Sequence, residues 1–468
     1  MSHLPIALTH SGREPDPSPL RVQAPRYGGA FTTQTPTNLD YVLPHELVQL
    51  TPTLHILEAS AARTQPACSH FGTCGGCHYQ HALYPEQLLL KRQILTQLLT
   101  EANLPIPAIH TESAQPYGYR NRIRLRIQPE SNGRFRAGYS LRGTNQFLPI
   151  AMCPIAAPAL WTAAETILTL AATDPLLERW LSATSELELF TTPDESQLQL
   201  HFFLRTAQAG NRESSSFPGL CTRISQLWAR SGQPVQLVGA SATLDPELNR
   251  RSRRAWSGTT WGADGIAYPA ARRTYWLPRG AFFQVNRLLI DRLVALVRDP
   301  AGSSVPHAPQ SHRDAGVTSP AKSLAWDLFA GVGLFTRALA ERFDHVIAVE
   351  GAEPAATALA TLKSPVTAVH SSTLDFLRVR VLDRERPSLI VLDPPRAGLG
   401  SEAAQLLARV AAPEVIYVSC DPTTLALDLQ HLIPTYEIAT LTLIDLFPQT
   451  FHIETVTHLR RKPQAVSG

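Results

Sequence analysis

The stretch SLAWDLFAGVGLF, residues 323–335, reads as a buried strand, a glycine-rich turn and the first turn of a helix. Downstream, HVIAVEG (345–351), PVTAVHSS (365–372), SLIVLDPPR (388–396) and EVIYVSC (414–420) are short apolar runs rich in β-branched residues, each followed by a helical segment. Regular strand–helix alternation of this kind specifies an α/β fold with a doubly wound parallel sheet. Asp327, Gly331 and Gly333 have the spacing of a nucleotide-cofactor turn, and Glu350, 19 positions after Gly331, is placed to accept hydrogen bonds from ribose hydroxyls. The turn lacks a complete G-x-G-x-x-G, which points away from a dinucleotide and toward a smaller adenosine-bearing cofactor. Cys420 falls where the last of these strands turns, at the carboxyl end where open α/β sheets collect reacting groups. Taken alone, it reads rather as a packed thiol, the commoner fate of a lone cysteine.

Upstream the pattern changes. Residues 156–275 mix helical segments such as ALWTAAETILTLAA with strands such as ELELFTT, LQLHFFLR and PVQLVGAS, an α+β middle domain. In front of it, PYGYRNRIRLRIQPESNGRFRAGYSLRG sets Arg120, Arg122, Arg124 and Arg126 at period two on one strand face, and a turn at Ser131-Asn132-Gly133 returns Arg134 and Arg136 beside them. Such a row suits a phosphate backbone or a solvated strand face. The run Arg250, Arg251, Arg253, Arg254 reads as surface charge. The segment ACSHFGTCGGCHYQH (67–81) holds Cys68, Cys74 and Cys77 as C-x5-C-x2-C, and Cys153 in AMCPI is the natural fourth ligand. Four thiolates suit Zn²⁺ or a [4Fe-4S] cluster, and the residues alone do not choose. Cys221 shows nothing beyond packing. Nearer the start, LRVQA, LDYVLP, LVQL and LHILEAS are strand-like pieces broken by Gly28-Gly29 and by Pro and Asn turns, which suggests a small β-barrel.

The expected divisions are a disordered lead (1–19), the barrel (20–65), the central domain (66–275) and a C-terminal domain (276–468) with a flexible insertion rich in Pro, Ser and His at 299–322. A chain of 468 residues exceeds one core. With 44% apolar and 17% charged residues it has the composition of a soluble globular protein, and without an apolar run of membrane-spanning length the expected location is cytoplasmic. A net charge of +3 neither requires nor excludes nucleic acid, although among 42 basic residues only Lys91, Lys322, Lys363 and Lys462 are lysines, and arginine is the better fork for phosphate.

With FFQVN (282–286), DLFAGVGLF (327–335), LDPPRAGL (392–399), YVSCDPTTL (417–425) and FPQTFHIETV (447–456), the sequence resembles the S-adenosylmethionine-dependent RNA uracil-C5 methyltransferases. The four cysteines further resemble the iron-sulfur branch that modifies 23S ribosomal RNA. The resemblance implies a class I methyltransferase domain (Rossmann-like), an α+β iron-sulfur middle domain and a short N-terminal TRAM/OB-like barrel, of which YGGAF (27–31) and YVLPHEL (41–47) are the remnants. It implies S-adenosyl-L-methionine and a structural [4Fe-4S] cluster on Cys68, Cys74, Cys77 and Cys153. Cys420 becomes the thiolate that adds to C6 of uracil, and Glu454 the base that removes the C5 proton. Gln284 and Asp393 match residues that hold the cofactor or target base, Phe329 and Glu350 the adenosine and ribose contacts. The target base would be flipped out of folded RNA. An electropositive rim or a helix beginning at Asp421-Pro422 is expected to favour the thiolate.

Three positions depart from the family pattern. Ser372 replaces an acidic residue, which weakens the expected adenine contact. TALATLKSP (357–365) lacks an asparagine-rich helix end, and Leu427 replaces an arginine. The expected protein is a monomer acting on 23S rRNA. The other readings are a tRNA uracil-C5 methyltransferase and a non-catalytic RNA-binding or ribosome-assembly protein on a degenerate methyltransferase fold.

Overall fold

The computed structural model describes residues 18–35, 37–230, 235–245, 258–300, 323–383 and 386–463. Nearly all of the lead, the insertion beyond residue 300 and the Arg250–Arg254 run lie outside them.

Five strands open the chain: β1 (Leu20–Pro25), β2 (Ala30–Thr33), β3 (Asn38–Asp40), β4 (Leu47–Thr51) and β5 (Thr53–Glu58), in the order β3-β2-β1-β4-β5. This is the curled, barrel-like sheet the strand pieces suggested, with AFTT as an additional strand. Leu20, Val22, Phe31, Leu39 and Val48 alternate into its core, where Tyr79 and Leu90 from the following segment close it. Helix α1 (Tyr84–Glu101) and strand β6 (Ile109–Glu112) come next.

The central sheet holds β7 (Arg122–Pro129), β8 (Phe135–Ser140), β9 (Phe147–Pro149), β10 (Thr184–Thr191), β11 (Gln197–Leu204), β12 (Gln236–Leu244) and β13 (Thr259–Gly262), in the order β13-β12-β11-β10-β7-β8-β9. Helices α2 (Pro158–Ala171), α3 (Pro175–Ala183), α4 (Ala207–Glu213) and α5 (Phe217–Arg230) accompany it. Period-two alternation sends Ile123, Leu125, Ile127, Leu198, Leu200 and Phe202 into one core with Leu160, Trp180 and Ile224 of the helices. Arg122, Arg124 and Arg126 therefore stand on the opposite face, as their spacing requires. Cys221 is wholly buried in this core.

A hairpin, β14 (Gly265–Ala270) and β15 (Arg273–Pro278), and helix α6 (Ile290–Arg298) lead into the C-terminal sheet. It comprises β16 (Leu324–Leu328), β17 (His345–Glu350), β18 (Val366–His370), β19 (Leu389–Leu392), β20 (Glu414–Ser419), β21 (Tyr436–Ile444) and β22 (Glu454–Arg461). Between them run α7 (Leu334–Leu339), α8 (Glu353–Leu359), α9 (Thr373–Arg380), α10 (Ser401–Val410) and α11 (Pro422–Leu432). The strand order is β18-β17-β16-β19-β20-β22-β21-β6: β16 to β20 pair in parallel, β22 runs antiparallel to β20 and β21, and β6 adds in parallel to β21. Every residue of β16, β19 and β20 is buried, as strands covered on both faces must be. Ala325, Val391, Ile416 and Val418 face one core, whereas Trp326, Ile390, Leu392, Val415 and Tyr417 face the other. Its parallel part is the doubly wound sheet expected from the strand–helix alternation, and the whole fits the class I methyltransferase domain implied by the resemblance. Among the described residues no helix is long and apolar enough to cross a membrane.

Candidate functional site

The carboxyl ends of β16, β19 and β20 converge with the loop that precedes β22. Asp327 is wholly buried, and its Oδ2 accepts a hydrogen bond from the Thr336 hydroxyl while Oδ1 has no partner among the described residues. Burial, with Glu350 nearby, pushes its carboxyl up to about 7. The turn behind it places Phe329 at φ 63°, left-handed and costly for a non-glycine residue, with Gly331 at 57° and Gly333 at 88°. Glu350 fastens this turn, since its two oxygens accept the Gly331 and Ala352 amides at 2.8 and 2.6 Å. Remaining lone pairs leave it able to accept from a ribose.

Asp393, behind β19, receives the Gln284 amide at 3.3 Å. Its carboxyl also rises to about 7, from burial first and Asp327 second. Asp428 of α11 shapes the following loop by accepting the Leu399 and Gly400 amides (2.7 and 3.2 Å) and the Tyr417 hydroxyl (2.6 Å). Cys420 lies between β20 and α11, whose N-cap Asp421 accepts the Thr423 and Thr424 amides through Oδ1. Ser419 pairs with Thr455 across β20 and β22, so Cys420 and Glu454 follow one step beyond that pair.

The thiol departs from expectation. Burial, Glu454, Asp393 and Asp421 push Cys420 up to about 12, with Arg396 opposing. The helix start does not create a positive rim, because its cap is itself a carboxylate and two more carboxyl groups adjoin. Glu454, wholly buried, is raised well above the usual carboxylate range by burial and by Asp393, with Arg396 opposing. Cys420, Glu454, Asp393 and Arg396 thus form one electrostatic unit assembled from three segments.

The loop before Glu454 is held from the N-terminal half. Lys91 of α1 is completely buried and bonds Asp445 at 2.6 Å and the Phe447 carbonyl at 2.9 Å. Gln87 and Gln449 exchange two hydrogen bonds of 3.0 Å. The His78 and Tyr79 amides donate to the Gln449 carbonyl at 2.8 and 3.0 Å. From the N-terminal sheet, the Tyr27 hydroxyl reaches Asp421 Oδ2 at 3.1 Å, and its ring packs edge-on to Phe451.

Sequence reading gave no role to Arg396, Tyr27, Lys91 or Phe282. Arg396 was visible as the charge following Asp-Pro-Pro. Phe282, next but one to Gln284, is 70% exposed, an aromatic surface beside the site. Of the departures, Ser372 caps α9 by accepting the Asp375 amide at 3.1 Å, and Leu427 is an exposed position on α11.

Cys68, Cys74, Cys77 and Cys153 line one cavity, with Tyr139 and Arg120 on its walls. All four are free thiols, and Cys74, Cys77 and Cys153 each feel others of the set. As they stand, no three His, Cys, Asp or Glu side chains among the described residues form a closed metal cage. The donor set, four soft sulfurs on one cavity, is chemically suited to zinc or iron-sulfur.

The model of the family tRNA (Uracil-5-)-methyltransferase matches residues 315–462. The 23S rRNA (uracil(1939)-C(5))-methyltransferase RlmD of Halomonas elongata is 30% identical over 427 residues, 88% of this chain and 79% of that protein. RlmD of Pseudomonas fluorescens is 29% identical over 86% of this chain and 81% of its own. Among solved structures, the tRNA (uracil-54, C5)-methyltransferase of Pyrococcus abyssi, in complex with S-adenosyl-L-homocysteine, superposes with a TM-score of 0.67 at 18% identity over 94% of this chain and 99% of that one. That likeness is one of fold. Given the Halomonas relative's identity and coverage, the chain belongs to the S-adenosylmethionine-dependent RNA (uracil-C5)-methyltransferases.

Proposed function

We propose that the protein methylates C5 of a uridine in 23S ribosomal RNA through a covalent adduct at Cys420. The observation that carries this reading is the register of β20 and β22, which brings Cys420 and Glu454 to the same sheet end beside Asp393 and Gln284. The Cys420 sulfur adds to C6, and the C5–C6 π electrons move onto the C4 carbonyl as an enolate. C5 then takes the methyl group of S-adenosyl-L-methionine, whose sulfonium leaves as the neutral thioether. Glu454, as carboxylate, removes the C5 proton, and the C6–S bond breaks to restore the double bond and the thiolate. Burial and the adjoining carboxyl groups oppose the ionisation of both groups. A bound cationic sulfonium would stabilise nearby anions and lower carboxyls such as Asp327 and Asp393. Asp327, Phe329, Gly331, Gly333 and Glu350 are the cofactor residues in this reading, and Gln284 and Asp393 orient the base or the methyl donor.

The four cysteines would hold a [4Fe-4S] cluster, which would supply covalent cross-links to the loop on which His78 and Tyr79 grip Gln449. Ribosomal RNA is favoured over tRNA by the cysteine set together with the relatives named for 23S rRNA. The test is nucleoside mass spectrometry, mapped by fragment, of ribosomal RNA and tRNA from cells with and without the gene. Loss of one 5-methyluridine from 23S rRNA is expected, and loss confined to tRNA would replace the substrate.

A further inference from the structure

The open face of the central sheet holds a second cavity, of about 480 Å³, lined among others by Arg122, Arg124, Gln199, His201, Phe203 and Arg279. It exists because strand alternation turns these side chains away from the helices while their neighbours Ile123, Leu198, Leu200 and Phe202 fill the helix-side core. Two guanidinium groups sit over rings: Arg124 is 3.7 Å from the Phe203 centroid and Arg122 4.3 Å from that of Phe190. His201 is fixed through both ring nitrogens, to Ser241 at 2.6 Å and Thr243 at 2.8 Å.

Two donors in this wall have no partner among the described residues. They are Nε2 of Gln199, a side chain in a residue only 8% exposed, and Nε of Arg122. Buried donors left unpaired cost about 1–3 kcal/mol each, so a ligand bearing acceptors is favoured there. Glu186 and Glu188 pair with Arg124 and Arg122, which offsets positive charge and disfavours a free phosphate as the sole ligand. Guanidinium–ring pairs, hydroxyls, one unpaired amide and one unpaired guanidinium donor instead match a nucleotide, with a base to stack and carbonyl or phosphate oxygens to accept.

One segment of the cavity wall leads along the chain to the methyl-transfer site. Arg279 donates to the Ala240 and Ala263 carbonyls, Arg122 donates to that of Ala281 at 3.2 Å, and the same segment runs through exposed Phe282 to Gln284. We propose that this cavity is a second RNA subsite, which takes a nucleotide of the substrate strand near the methylated uridine. Only the identity of that strand rests on the function proposed above.

The test uses the full-length protein and an unmethylated 23S rRNA transcript. Ultraviolet cross-linking with peptide mapping is combined with Gln199→Leu, which removes the unpaired donor, and Arg124→Gln, which removes an exposed stacking cation. Cross-links to residues 197–204 are expected, with a roughly tenfold rise in KM for RNA and unchanged kcat and KM for S-adenosylmethionine. An unchanged KM for RNA in both folded variants, or cross-links absent from β7 and β11, would overturn the subsite. If the transcript is bound and cross-linked there but never methylated, the uracil-methylation reading fails while the subsite stands.

Discussion

Cys420 and Glu454 stand one step beyond the Ser419–Thr455 pair, on neighbouring antiparallel strands, and each shifts the other's proton affinity or shares the Asp393 and Arg396 charges that do. The proposed nucleophile and proton acceptor are therefore set by a sheet register rather than by a mobile loop. Glu454→Gln keeps the shape and removes the base. Methyl transfer to the adduct should proceed while release slows by about 10²–10⁴-fold, so a protein–RNA complex carrying the methyl group should accumulate on denaturing gels.

Asp393 gives a pH signature. Its pKa is raised from 3.8 to about 7, so its contribution to stability is complete below pH 3.8 and is lost as pH rises through about 7. The neutral Asp393→Asn variant should therefore exceed wild type in stability at pH 8, by on the order of 1–4 kcal/mol, with no such gain at pH 4. Thermal unfolding across this range without cofactor measures it. Since a sulfonium favours the ionised forms of Asp327 and Asp393, cofactor binding near pH 7 should release protons, which calorimetry in buffers of different ionisation enthalpy detects.

Lys91 and Asp445 form a wholly buried ion pair between α1 and the loop before Glu454. Removing one partner leaves an unpaired buried charge, so Lys91→Met should cost roughly 3–5 kcal/mol in stability and reduce kcat by loosening Glu454. Lys91→Met combined with Asp445→Asn should recover part of the stability in chemical denaturation.

Tyr27 joins the N-terminal sheet to the catalytic strand end. Tyr27→Phe keeps the edge-on contact with Phe451 and deletes one hydrogen bond to Asp421, a loss of about 1 kcal/mol. A several-fold fall in methylation rate with unchanged cofactor affinity is expected from steady-state kinetics.

For the cysteines, protein purified without oxygen should carry about four iron and four sulfide per chain, read by elemental analysis and visible absorption. Cys77→Ser should lose most of the metal and, through the His78 and Tyr79 amides, lower the unfolding midpoint.

The parallel strands were legible because β16, β19 and β20 are apolar on both faces, and such runs have few alternatives. β6 was not, because Ile-His-Thr-Glu is a polar four-residue edge strand whose partner β21 lies over 300 positions away. Cys420 and Glu454 came from motifs, whereas the high proton affinity of Cys420 depends on Asp393, Asp421 and Glu454 meeting from separate segments. Tyr27 was hidden for the same reason, its partner being 394 positions distant. The cysteine set was read from spacing, and the cavity on the central sheet only from three dimensions, since its two unpaired donors sit on different strands.

The covalent route through Cys420 is tested most directly by RNA containing 5-fluorouridine, whose C5 fluorine cannot be removed by Glu454 as a proton is. Incubation with S-adenosylmethionine should give a complex stable to denaturation, with the mass of protein, RNA and one methyl group, and proteolysis should place the attachment at Cys420. Absence of that complex from protein that methylates ordinary RNA, or attachment at another residue, would contradict the mechanism.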